Sequence, residues 1–140
     1  MLARWARQDR PGYMVNMAHW LAQLRASFEK NRDDVTPTSA ILAPVRTKRL
    51  VVLDDFGTEP PTEYTRRTLY EVLNYRYECR LPTIITSNGS VIDSVVRLGG
   101  DAIENNRLVS RISELAVVRE LAGRNFREQL QPSLFAEMAR

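Results

Sequence analysis

An α/β domain with a mostly parallel sheet flanked by helices is the fold class this sequence predicts. Two short apolar runs point to it. "LVVLDDFG" (50–57) and "TIITSN" (83–88) each end abruptly in polar residues. Between and around them lie segments whose apolar residues recur at helical spacing. Strands alternating with helices are the signature of parallel sheets, because parallel neighbours need a crossover between them.

In chain order, "GYMVNM" (Gly12–Met17) is a short strand candidate. "AHWLAQLRASFEK" follows, with Trp20, Leu21, Leu24 and Phe28 on one helical face. "NRDDVTPTS" (31–39) is polar and carries a proline, which predicts a surface loop. "LVVLDDFG" is a buried strand, and "GTEPPTE" after it is turn chemistry with prolines placed to start a helix. That helix, Tyr64 to Arg80, stacks Leu69, Val72, Leu73 and Tyr77. "LPTIITSN" is β-branched and strand-like. A short helix around Ile92–Leu98 stops at Gly99-Gly100, and "ENNRLVSRISEL" aligns Leu108, Ile112 and Leu115. "AVVREL" (116–121) is a candidate final strand before a turn at Gly123, and the tail from Gln131 is a frayed helix.

The bulk properties narrow the function classes. A chain of 140 residues, 44% hydrophobic and 26% charged, has the composition of one globular domain. Its single cysteine, Cys79, excludes an internal disulfide, and no Cys/His cluster has metal spacing. No apolar run is long enough for a membrane span or signal peptide, so a cytoplasmic setting without membrane partners is expected. A net charge of +3 permits contact with nucleic acid without demanding it.

The chemistry concentrates at strand ends. In open parallel sheets, ligands bind beyond the carboxyl ends of the strands, and both apolar runs place polar residues there. Adjacent carboxylates repel and resist desolvation, whereas a divalent cation reverses that cost. Magnesium suits one or two carboxylates plus phosphates. Four apolar residues running into Asp54-Asp55 match the Walker B pattern of nucleotide hydrolases. In that reading both carboxylates serve the metal: Asp54 holds it through water, and Asp55 orients or deprotonates the attacking water. A strand entering a solvated acidic turn is the simpler alternative. Asn88 at the neighbouring strand tip can hold the same water or cap the next helix. Arg107 and Arg111, four residues apart, share a helical face from which a guanidinium can reach a neighbouring subunit's phosphates.

"LVVLDDFGTEPPTEYTRRTLYEVLNYRYECRLPTIITSN", with "NNRLVSRISE" and "GRNFR" beyond it, resembles the DnaC/DnaI-type helicase loaders and the related IstB-type transposition helpers. Both are AAA+ P-loop ATPases. The likeness runs from about 13 to 127, leaving 128–140 as a tail of a single domain over 1–140. It implies Asp54 and Asp55 as the Walker B pair, Asn88 as sensor 1, Arg111 as the arginine finger with Arg107 as companion, and Arg127 as a nucleotide-sensing residue in cis. It further implies ATP and Mg2+ as cofactors, and a homo-oligomer that acts on DNA, single-stranded by expectation, with a replicative helicase or a transposase.

No G-x-x-x-x-G-K-[ST] loop occurs in the 140 residues; Lys48 sits in "VRTKRL". The resemblance therefore implies an incomplete AAA+ core lacking the P-loop strand, with Met1–Arg10 as the remnant of the following helix. Such a core is expected to expose strand edges, or to pair its last strand in the gap. Weak ATP binding and no hydrolysis by the chain alone are also expected.

Other residues invite blander roles. His19 and Cys79 are expected to be structural. Trp20, Tyr70, Tyr75 and Tyr77 fit core packing better than base stacking. Arg66, Arg67, Arg76 and Arg80 fit a solvated helix face as well as they fit DNA phosphates.

Overall fold

The computed structural model describes residues 12–29, 38–58 and 60–120. Among these described residues three parallel strands form one sheet in the order β1-β2-β3. They are β1 (Gly12–Asn16), β2 (Leu50–Asp54) and β3 (Thr83–Ile85). Register pairs Val15 with Leu53 and Asn16 with Asp54 on one side of β2. On the other side Leu53 pairs with Ile85. β2 is thus central, which is why its first four residues are all buried.

Among the described residues five helices accompany the sheet: α1 (Met17–Glu29), α2 (Thr38–Thr47), α3 (Glu63–Glu78), α4 (Val91–Arg97) and α5 (Ala102–Leu115). α1 starts directly after β1, where Asn16 Oδ1 accepts from the His19 N–H at 3.1 Å. Trp20, Leu21 and Leu24 are buried, and the Trp20 indole donates to the Ile41 carbonyl of α2 at 3.2 Å. Val51 and Leu53 on one face of β2 join the core built with Val15, Leu69, Val72, Leu73, Val95, Leu98, Leu108 and Ile112. Each such apolar side chain stabilises the fold by about 1.5–3 kcal/mol.

The sequence pattern did not reveal α2. Pro44 lies inside it, and the segment leading into it reads as loop. Packing overrides that propensity, because Val45 is fully buried. Thr38 and Ser39, expected in the loop, begin this helix.

The largest correction concerns Arg76. It is not on a solvated face: Thr65, Thr68, Leu69, Val72, Leu73 and Arg76 form the buried stripe of α3. Arg76 Nη1 donates to the carbonyls of Val45, Arg46 and Lys48 at 3.0, 3.1 and 3.0 Å. Nη2 reaches the Pro82 carbonyl at 2.6 Å and Nε the Thr83 hydroxyl at 2.8 Å. The guanidinium thereby caps the carbonyls at the end of α2 and ties them to the entry of β3. Burial pushes its pKa down to about 10, so it remains cationic at neutral pH.

Tyr77, expected on the stripe, sits beside it and is half-buried. Cys79 is the exposed C-cap of α3. Residues 116–120 carry no strand, and Val117 and Val118 are exposed, so the candidate final strand is not formed there. A strand needs a partner ladder, and among the described residues nothing pairs with this segment. The expected features at Met1–Arg10, at Gly123 and in the tail lie outside the described residues. Among the described residues no helix is long and apolar enough to cross a membrane.

Candidate functional site

Asp54 is the last residue of β2, and the chain then leaves the strand through a tight turn. Asp55 adopts φ +64° and Gly57 φ +93°. An aspartate tolerates the left-handed region better than most side chains, whereas at Gly57 any Cβ would meet Ser94 Oγ at 2.5 Å. The turn is therefore seated directly against α4, where Ser94 is fully buried.

Four polar contacts stitch this turn to the tip of β3. The Thr86 hydroxyl donates to Asp54 Oδ1 at 2.5 Å and accepts from the Asp55 N–H at 3.0 Å. Asn88 Nδ2 donates to Asp55 Oδ1 at 2.9 Å. The Ser87 hydroxyl donates to the Phe56 carbonyl at 2.9 Å and lies 3.1 Å from Ser94 Oγ. Backbone bonds continue the ladder, from Thr86 N–H to the Leu53 carbonyl and from Phe56 N–H to the Thr86 carbonyl.

The structure therefore brings Asp54, Asp55 and Asn88 together, as their positions in sequence suggested. Asn88 does not cap α4; the Ser90 hydroxyl does, accepting from the Asp93 N–H at 3.1 Å. Thr86 is the contributor that motif reasoning missed. Its only sequence signal was its place at the polar end of "TIITSN".

Asp54 and Asp55 each have one carboxylate oxygen engaged, and among the described residues the other makes no hydrogen bond. Among the described residues no group of three acidic, His or Cys side chains could cage a metal. Two half-exposed carboxylates with open oxygens fit magnesium, which keeps waters and takes its remaining ligands from phosphates.

The arginines lie elsewhere. α5 packs alongside α3, with Arg107 and Leu108 beside Arg66, Arg67 and Tyr70. Arg111 Nε donates to Asn74 Oδ1 at 3.0 Å, and Arg111 Nη1 pairs with Glu114 at 3.2 Å. Its guanidinium stacks 4.5 Å from the Tyr77 ring centroid. Neither Arg107 nor Arg111 contacts the acidic pair of its own chain. Arg127 lies outside the described residues.

The family profile of the IstB-like ATP binding protein matches residues 3–133. The crystal structure of the DnaC helicase loader superimposes with a TM-score of 0.60 at 25% sequence identity. The match covers 79% of this chain and 61% of the loader chain, so this chain spans about three-fifths of that protein's length. No curated protein sequence matches. Its parallel sheet, flanking helices and profile match along nearly all of its length make this chain a member of the IstB-like ATP-binding family, with a core similar to that of the DnaC AAA+ loader.

Proposed function

We propose that the β2 and β3 tips are the metal- and water-handling half of an ATP-hydrolysing site. The chain would act in DNA replication as a helicase-loader-type ATPase. The observation that carries this is the Asn88–Asp55 hydrogen bond, which sets an amide and a carboxylate side by side at the carboxyl ends of two neighbouring strands.

A bound magnesium ion would neutralise the phosphate oxygens where charge builds up. Asp54 would hold it through water, with Thr86 fixing the orientation of the carboxylate. Asp55 would orient or deprotonate the attacking water, and Asn88 would hold the same water against the terminal phosphate. Arg111 and its companion Arg107 would serve a neighbouring copy's nucleotide, since among the described residues neither contacts the acidic pair of its own chain. Arg127 would contact nucleotide in cis. The working form is then a homo-oligomer on single-stranded DNA with a replicative helicase.

The 140 residues contain no G-x-x-x-x-G-K-[ST] loop, whose amides and lysine supply most of the grip on phosphates. The chain by itself is therefore proposed to bind Mg-ATP weakly and not to hydrolyse it. In an NMR titration of this chain, Mg-ATP at millimolar concentration should shift the Asn88 side-chain amide, and Asp54→Asn should abolish the shift. An Asn88 signal indifferent to Mg-ATP would overturn the reading of the site, and micromolar affinity would overturn the weak-binding part.

The IstB-like profile supports a second reading, a transposition helper with the same site chemistry. Binding of a purified hexameric helicase, against binding of a transposase, separates the two.

A further inference from the structure

Arg111 is held by three groups remote from the acidic pair. Its Nε donates to Asn74 Oδ1 at 3.0 Å, and its Nη1 donates to Glu114 Oε2 at 3.2 Å. The guanidinium also lies over the Tyr77 ring, 4.5 Å from the centroid. Asn74 and Tyr77 are three residues apart on α3, and Arg111 and Glu114 three apart on α5, so each pair shares one helix face. The holders are secured in turn. Asn74 Nδ2 donates to Glu78 Oε1 at 2.7 Å, and the Tyr77 hydroxyl donates to Glu114.

The three holders differ in kind. Asn74 offers a neutral acceptor and Tyr77 a neutral ring, and together they fix the plane of the guanidinium without cancelling its charge. Glu114 is an anion and fills the place a phosphate oxygen would take. Its ion pair is half-exposed, with 30% of the Arg111 side chain and 45% of the Glu114 side chain accessible, so water and salt screen it. Losing Arg111 would not strand the carboxylate, which keeps the Tyr77 hydroxyl and gains water. A polyphosphate, with several charges on one chain, can therefore displace it.

We infer that Glu114 is a replaceable counter-charge, occupying Arg111 in the unassembled chain and yielding it to a neighbouring copy's phosphate, while Asn74 and Tyr77 are positioning residues that hold the guanidinium through the exchange. The inference rests on the reading of Arg111 given above and is independent of that of the acidic pair. It gives the arginine a partner in both states, so no bare cation has to be kept ready.

The test uses inorganic tripolyphosphate, without metal, as the stand-in for a nucleotide's phosphate chain. It is titrated into the 140-residue chain at physiological salt, and the Nε–H signal of Arg111 is followed by NMR, assigned by its loss in Arg111→Lys. Wild type should respond only at high tripolyphosphate. Glu114→Gln should respond at about a fifth of that concentration, the factor that an exposed ion pair is worth. Tyr77→Phe should move the response the other way, because it removes the hydroxyl that steadies Glu114 once Arg111 has left. Glu78→Gln makes the same change of charge nearby and still accepts from Asn74, so it should titrate like wild type. Glu114 and Glu78 are exposed, and urea denaturation should show both variants folded.

Equal responses in wild type and Glu114→Gln, or an equal gain in Glu78→Gln, would overturn the counter-charge while leaving Arg111 a phosphate-binding residue. An Arg111 signal that ignores tripolyphosphate in every variant would overturn both the counter-charge and the role given to Arg111.

Discussion

Asn88 Nδ2 donates to Asp55 Oδ1 at 2.9 Å, joining residues 33 positions apart in the chain. The bond exists because β2 and β3 are adjacent and parallel, with Leu53 opposite Ile85. Both strands therefore end at the same level, and the first polar residues of each exit meet. Thr86 completes the arrangement by touching the Asp54 carboxylate and the Asp55 backbone with one hydroxyl.

Replacing Thr86 with Val removes that two-way bridge while keeping the side chain's shape. The site is exposed, so water compensates in part, and a loss of about 1 kcal/mol is expected. The urea midpoint should fall accordingly, and the Asn88 side-chain amide should shift in NMR spectra. Thr86→Ser should restore both.

Gly57→Ala puts a methyl group where Ser94 Oγ already lies and forces a non-glycine residue to φ +93°. A strained backbone of this kind costs about 1–3 kcal/mol, and the contact adds to it. Adding Ser94→Gly should recover part of the loss in a chemical denaturation series, because it removes the contact but not the backbone strain.

Arg76→Met leaves five acceptors without their donor. A loss of about 3–5 kcal/mol is expected, as for other broken buried charge networks. Arg76→Lys should recover little, since an ammonium lacks the planar fork. The folded-state pKa of about 10 lies below the usual guanidinium value, because burial disfavours the charge. The folded chain therefore binds fewer protons than the unfolded one only between those values, and stability from this group rises with pH only there. Between pH 6 and 9 the difference between wild type and Arg76→Met should stay constant, which denaturation at three pH values checks.

The Tyr77 phenol is held above its usual 10, first by its hydrogen bond to Glu114 and then by that carboxylate's charge. Glu114→Gln should bring it down toward 10, read from phenolate absorbance in a pH titration. A raised folded value means the stabilisation is complete below about pH 10 and is lost as the phenol ionises in the folded chain. The same substitution releases Arg111 from its 3.2 Å ion pair.

Most of the fold was legible locally. β2 announced itself as an apolar run, and α3 through Leu69, Val72 and Leu73 at helical spacing. α2 was not legible, because Pro44 argues against a helix and only the burial of Val45 and the cap from Arg76 outweigh it. Arg76 misled for a related reason. Its position on the buried stripe followed from spacing, yet an arginine there reads as solvated until the carbonyls that receive it are in view.

The sequence alone determined which residue types stand at the strand ends, since a buried strand must stop where Asp54-Asp55 begins and β3 must stop before "TSN". Tertiary structure alone decided which of them meet: Asp55 with Asn88, Asp54 with Thr86, Arg76 with the end of α2, and Arg67 with Arg107 across a groove. The reason is physical. Local patterning records how each residue shares its burial with near neighbours, whereas a hydrogen bond between distant residues depends on sheet register and helix packing, which no short stretch encodes.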